Sequence, residues 1–141
     1  MIDDLDPARG VPDALYEALH WAPVTPEEIY AGYVLRVHRD WLNGGFGQTF
    51  HNLDAIEEPA DPYVDAYFKV GLPTVAKLVA EASAAWSKGQ LSETEEQLNE
   101  RYVRLTYGAA NDPTDAIEAA IVAYIRQNAP AFANAFARAE N

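Results

Sequence analysis

The sequence predicts an all-α fold, a single-domain irregular bundle of about seven or more helices, and three observations carry that prediction. Apolar residues recur at spacings of three and four along most of the chain. Prolines and capping residues stand where these stripes begin, and glycines where they stop. No stretch alternates apolar and polar residues between hairpin turns, as a half-buried strand would.

The elements follow in order. A weak helical segment runs from Asp13 to Trp21. Thr25-Pro26-Glu27-Glu28 combines a cap, a first-turn proline and a glutamate three residues on, the pattern of a capping box. Ile29, Tyr33, Val34, Val37 and Trp41 then form one apolar face, on a helix of about seventeen residues ending at Asn43-Gly44. Asp61-Pro62 opens a short helix through Phe68, terminated by Gly71. Leu72-Pro73 begins another that turns Val75, Ala76, Val79, Ala82 and Trp86 inward and stops at Gly89. Ser92-Glu93-Thr94-Glu95 reads as a second capping box, whose helix carries Leu98, Tyr102 and Leu105 to Gly108. Asp112-Pro113 starts the next, with Ile117, Ile121, Tyr124 and Ile125 facing the core. The alanine-rich stretch from Ala129 to Ala139 places Phe132 and Phe136 on a terminal docking helix. Short connections argue against a linker, so residues 1–141 are expected to form one acidic domain around one core.

One segment defies propensity. Asn43-Gly44-Gly45-Phe46-Gly47-Gln48-Thr49-Phe50-His51-Asn52 holds three glycines in four positions, each costing a helix interior about 1 kcal/mol relative to alanine. Asn43 and Gly44 are expected to close the preceding helix at positive φ, and Gly45 and Gly47 to let backbones approach around Phe46 and Phe50 in a packed corner. The amides of Asn43, Gln48 and Asn52 are expected to satisfy backbone groups freed at that corner.

This run resembles the N-G-G-F-x-Q-x-F-x-N signature of a family of small acidic bacterial domains of largely unknown function. Further matches fall in the family's order: Val70-Gly71-Leu72-Pro73-Thr74-Val75-Ala76, the acidic helix from Leu91 to Tyr107, Ala123-Tyr124-Ile125-Arg126, and Ala131-Phe132. The resemblance spans Thr25 to Phe132, and only the ten-residue run is specific. Thr49 departs from it, standing where the family often carries a second aromatic. One member is a dimeric DNA mimic that binds a transcription factor in place of its operator, so the resemblance implies a non-enzymatic, homodimeric protein that covers the DNA-binding surface of a basic partner.

Charge points the same way. The chain carries 22 Asp and Glu against 10 Lys and Arg, a formal net charge of -12, which disfavours direct contact with nucleic acid or anionic membranes. Acidity is also a common route to solubility. With no cysteine, disulfides, thiolate metal sites and a cysteine nucleophile are excluded. The acidic start Met1-Ile2-Asp3-Asp4-Leu5-Asp6 lacks the features of a signal peptide, and no long apolar run occurs; cytoplasmic localisation is the expectation.

Catalytic chemistry is sparse. His20, His38 and His51 show no metal-ligand spacing, and no nucleophile elbow, phosphate loop or dinucleotide fingerprint occurs. No catalytic residue, metal or cofactor is assigned. Carboxylates are the abundant functional group. Asp54, Glu57, Glu58, Asp61 and Asp65 form a loop-to-helix cluster, and Glu93, Glu96 and Glu100 share a helix face opposite Leu98, Tyr102 and Leu105. These eight are the candidate partner-binding residues. One row is too dilute to imitate a duplex: helix neighbours stand about 5–6 Å apart, whereas DNA carries a charge per roughly 1.7 Å. Several rows, or a dimer, would be needed, and Glu100 is spaced to pair with Arg104. An immunity or antitoxin protein that occludes a toxin is the alternative, and a small-molecule site built from Gln48, His51 and Asn52 is a third.

Overall fold

The computed structural model describes residues 2–108 and 114–140. The helices are α1 (Asp13–Trp21), α2 (Pro26–Ala55), α3 (Asp61–Lys69), α4 (Pro73–Ser87), α5 (Leu91–Tyr107), α6 (Ala116–Gln127) and α7 (Ala133–Ala139), with short 3₁₀ turns at Ile2–Asp4 and Ala129–Phe132. No strand occurs among the described residues, so the fold is all-α.

The expected capping box opens α2. Thr25 Oγ1 accepts the Glu28 N–H at 3.2 Å, while Glu28 Oε1 accepts the N–H groups of Thr25 and Val24, both at 2.9 Å. Glu28 is fully buried, and its Oε2 accepts the Ala135 N–H at 3.0 Å, so the box also holds α7. Such a carboxylate is tolerated because backbone donors replace its lost water.

From this anchor α2 runs through the middle of the bundle and packs against α1, α3, α5 and α6. Its inward residues Val34, Leu35 and Val37 join Ile117, Ile121 and Ile125 of α6 and Tyr67 of α3 in one buried cluster. Each such side chain contributes about 1.5–3 kcal/mol by leaving water. The short helices gain stability from this packing, since isolated helices of their length are marginal.

Three boundaries differ from expectation, and a fourth falls outside the described residues. The first helix does not end at Asn43-Gly44. It breaks at Gly44 and Gly45 and resumes at once, continuing to Ala55. The positive φ lies at Gly45 (75°), whereas Gly44 is extended at -162° and Asn43 is not left-handed. The second capping box does not form: α5 begins at Leu91, so Ser92 lies inside its first turn. The turn at Gly89 closes tightly, with Gln90 N–H donating to Ala85 O at 2.8 Å, and α5 starts immediately afterwards. The Asp112-Pro113 start lies outside the described residues; α6 begins at Ala116, capped by Asp115, which accepts the N–H groups of Ile117 and Glu118 at 2.9 Å. The terminal helix is split, because Pro130 sits in the 3₁₀ turn that buries Phe132 before α7 starts.

Sequence periodicity says nothing of the segment before α1, yet Leu5 and Val11 are buried. Arg126 of α6 donates to the Leu5 carbonyl, Glu118 accepts the Val11 N–H at 2.8 Å, and Arg39 of α2 donates to the Val11 carbonyl at 2.8 Å. Arg39 also pairs with Glu118 at 3.1 Å and Asp13 at 3.2 Å and lies over the Tyr16 ring. Charged side chains, rather than an apolar stripe, tie this segment down.

Candidate interaction surface

The glycine corner is held from α5. Asn99 Oδ1 accepts the Phe46 N–H at 3.2 Å and the Trp41 indole N–H at 2.9 Å, and Glu95 Oε2 accepts the Gly47 N–H at 3.1 Å. Thr49 Oγ1 donates to the Gly45 carbonyl at 2.9 Å. The break would otherwise leave these backbone groups without helical partners. A side chain at Gly47 would meet Glu95 Oε1 at 2.8 Å, so glycine permits the close approach of the carboxylate. Phe46 is fully buried, edge-on to Tyr102 at 5.4 Å and stacked on Phe50 at 6.1 Å.

The amides of the motif do something other than expected. Gln48 Nε2 donates to Asn52 Oδ1 at 2.9 Å across one turn at the surface, and Asn43 is exposed. Backbone satisfaction falls instead to Asn99 and Glu95, one turn apart on α5. His51, one residue before Asn52, is exposed.

Beneath the corner lies a buried polar chain. His38 is fully buried; its Nε2 is 2.5 Å from Asp115 Oδ2 and its Nδ1 is 2.9 Å from the Tyr102 hydroxyl, itself 2.8 Å from that of Tyr67. An ionised carboxylate only accepts, so Nε2 carries a proton. Burial raises the Tyr67 and Tyr102 hydroxyls well above the ordinary tyrosine range and keeps them neutral. Partial burial pushes Asp115 up, but the His38 hydrogen bond and charge, with the N–H groups of Glu118 and Ile117, outweigh it and leave its pKa below the ordinary aspartate value. Among the described residues no group of three or more His, Asp or Glu side chains is arranged to hold a metal ion.

The carboxylates lie outside this core. Asp54, Glu57, Asp61 and Asp65 are exposed, as are Glu93, Glu96 and Glu100 on α5. Glu58 is different: it is half-buried and accepts the Tyr63 hydroxyl at 3.2 Å, while Arg36 donates to the same hydroxyl at 3.3 Å. Burial, opposed in part by Arg36, pushes the Tyr63 hydroxyl up to about 12. Members of the first cluster flank the end of α4 from two sides. Asp54 accepts the Trp86 indole N–H at 2.8 Å, and both border a shallow cavity with Gly89, Leu91 and Ser92 at the start of α5. Asp61 and Asp65 face Ser87 across the groove between α3 and α4. Basic side chains interrupt the surface: Lys88 is exposed at the same turn, and Arg101 pairs with Glu81 at 2.9 Å, whereas the pair spaced in sequence, Glu100 and Arg104, does not form.

The family described as DMP19-like protein matches residues 22–140. The chain belongs to that family. Comparison with curated proteins and with solved structures gave no match. The family region takes in α2 to α7, and with them the glycine corner, the His38 chain and every exposed carboxylate named above. No helix among the described residues is long and apolar enough to cross a membrane.

Proposed function

We propose that this DMP19-like protein is a non-enzymatic interaction domain whose acidic surface occupies the DNA-binding face of a basic protein, most concretely a transcription regulator. The observation that carries this is the exposure of the carboxylates, with Asp54 beside Trp86 and Asp61 and Asp65 beside Ser87 around the end of α4 and Glu93, Glu96 and Glu100 along α5, on a chain of net charge -12. Exposed carboxylates would take the place of phosphates, steer the partner electrostatically and occlude its operator-binding surface. Glu57 adds support. It adopts φ 58° in the turn after α2, a conformation that favours glycine or asparagine, yet carries an exposed carboxylate there.

The test uses the immobilised chain and a nuclease-treated extract of its host. Changing Glu57, Asp61 and Asp65 together to lysine, or Glu93, Glu96 and Glu100 together, is expected to weaken a captured partner by roughly tenfold or more in at least one set. Melting should be nearly unchanged, because exposed charges contribute little to folding. Glu58 is left out of both sets because Tyr63 holds it. Affinity should fall as salt rises, since screening at physiological ionic strength acts over about 8 Å. Operator DNA and this protein should exclude one another from the partner. Affinity indifferent to both sets and to salt rejects the electrostatic mechanism, and a captured toxin whose active site is covered points to an immunity role instead.

A homodimer would lengthen the acidic surface toward the roughly 34–36 Å that separates operator half-sites. Acidic rows repel, so the joining surface should be apolar. Trp21 and Val24, 74% and 67% exposed beside the α1–α2 connection, provide such groups. Sedimentation at micromolar concentration should give a dimer that Trp21→Ser with Val24→Ser converts to a monomer; a wild-type monomer removes dimerisation from the mechanism.

A further inference from the structure

The groove between α3 and α4 is built unlike the rest of the acidic surface. One wall, on α3, carries Val64, Phe68, Asp61 and Asp65. Phe68 is 44% exposed, a large aromatic left partly in water beside two exposed carboxylates. The other wall presents Ala80, Ser83, Ala84 and Ser87, small residues three and four apart along α4. Together they bound an open cavity of about 370 Å³. Small side chains lower the ridge that sets the closest approach of another helix. An apolar floor edged by acid on one side matches a ligand that is apolar along one face and basic along its flank.

We propose that this groove seats one amphipathic helix of the basic partner, with its apolar residues over Ala80, Ala84 and Phe68 and its lysines or arginines against Asp61 and Asp65. This rests on the basic-partner function proposed above and adds a docking element to it. A second copy of the chain is a poor occupant, since it would bring a charge of -12 to an acidic groove. Nucleic acid is repelled for the same reason. The apolar floor distinguishes the groove from the α5 face, where Glu93, Glu96 and Glu100 can only attract charge.

The experiment uses the full chain and two synthetic peptides of about sixteen residues, long enough to hold helical structure. One has a leucine stripe at helical spacing and lysines along its flank. The other has the same composition and charge, scrambled to abolish the stripe. Titration of the isotope-labelled protein should move amide signals of residues 61–68 and 80–87, and the scrambled peptide should bind roughly tenfold more weakly or worse. Ala84→Trp, which fills the groove, and Ser87→Arg, which fills it and repels the basic flank, should each weaken the striped peptide by a similar factor with unchanged circular dichroism. Ser87 is exposed, so its variant tests the groove should Ala84→Trp not fold. Equal affinity of the two peptides, shifts spread over α5 instead, or indifference of a folded variant overturns the docking site. A native partner whose binding fails on charge reversal but survives Ser87→Arg would overturn the groove alone. A partner indifferent to charge reversal overturns the broader function without touching the peptide result.

Discussion

Replacing Gly45 with valine is expected to destabilise the protein by roughly 3–5 kcal/mol, which for a chain of this length lowers the melting temperature by about 10–17 °C. Gly45 sits at φ 75° and ψ -169°, a region essentially reserved for glycine and costing a branched residue about 1–3 kcal/mol. A β-carbon there would also stand 2.8 Å from Asn99 Nδ2 and 3.1 Å from Glu95 Oε2. Those two side chains accept the Phe46 and Gly47 N–H groups, and pushing them away leaves buried donors unsatisfied at about 1–3 kcal/mol. Asn99→Ala separates the causes: it removes the acceptor shared by Trp41 and Phe46 while leaving the backbone of Gly45 alone, and should give only part of the loss. Unchanged melting of Gly45→Val together with lost partner binding would move the corner from scaffold to function.

Gly45 also marks the limit of what the sequence discloses. Three close glycines announce a break inside a helical pattern, and the capping box at Thr25 and the stops at Gly71, Gly89 and Gly108 announce helix ends, because these are local events with local causes. Which glycine takes positive φ depends on where α5 lies, and nothing near residue 45 encodes that. The apparent capping box at Ser92 failed for a related reason. Its glutamate, Glu95, is engaged by the corner on α2, a partner 48 residues away in sequence.

Buried charge was the least legible feature of the site. His38 falls between Val37 and Trp41 on an apolar face, and its only sequence signal was that a titratable residue stood on the buried stripe. Its partners Tyr102 and Asp115 lie 64 and 77 residues away. Glu118 and Arg39, which hold the segment before α1, are likewise unremarkable in a linear reading. The exposed carboxylates were legible individually, since their spacing on α5 and α3 fixes their faces. The placement of Asp54 beside Trp86 and of Asp61 and Asp65 beside Ser87 was not, because it depends on how α2, α3 and α4 pack.

Asp115→Ala is expected to cost about 3 kcal/mol, and its pH dependence identifies the cause. Asp115 Oδ1 caps α6 by accepting two N–H groups while Oδ2 accepts from buried His38. Losing a cap costs about 0.5–2 kcal/mol, and an orphaned donor on His38 about 1–3 kcal/mol. Asp115→Asn keeps the cap oxygen but turns an amide donor toward His38 Nε2. The retained cap oxygen should make Asn less costly than Ala. The folded pKa of Asp115 is depressed. Its ionised form therefore contributes stability that is present above the unfolded value of about 3.9 and is lost as pH falls through the folded value. The stability difference between wild type and Asp115→Asn should accordingly be level near neutrality and shrink as pH falls below about 4. Denaturant unfolding of both proteins across that range measures it. A difference that stays constant on acidification would show that Asp115 acts through shape and capping alone, with its charge contributing nothing.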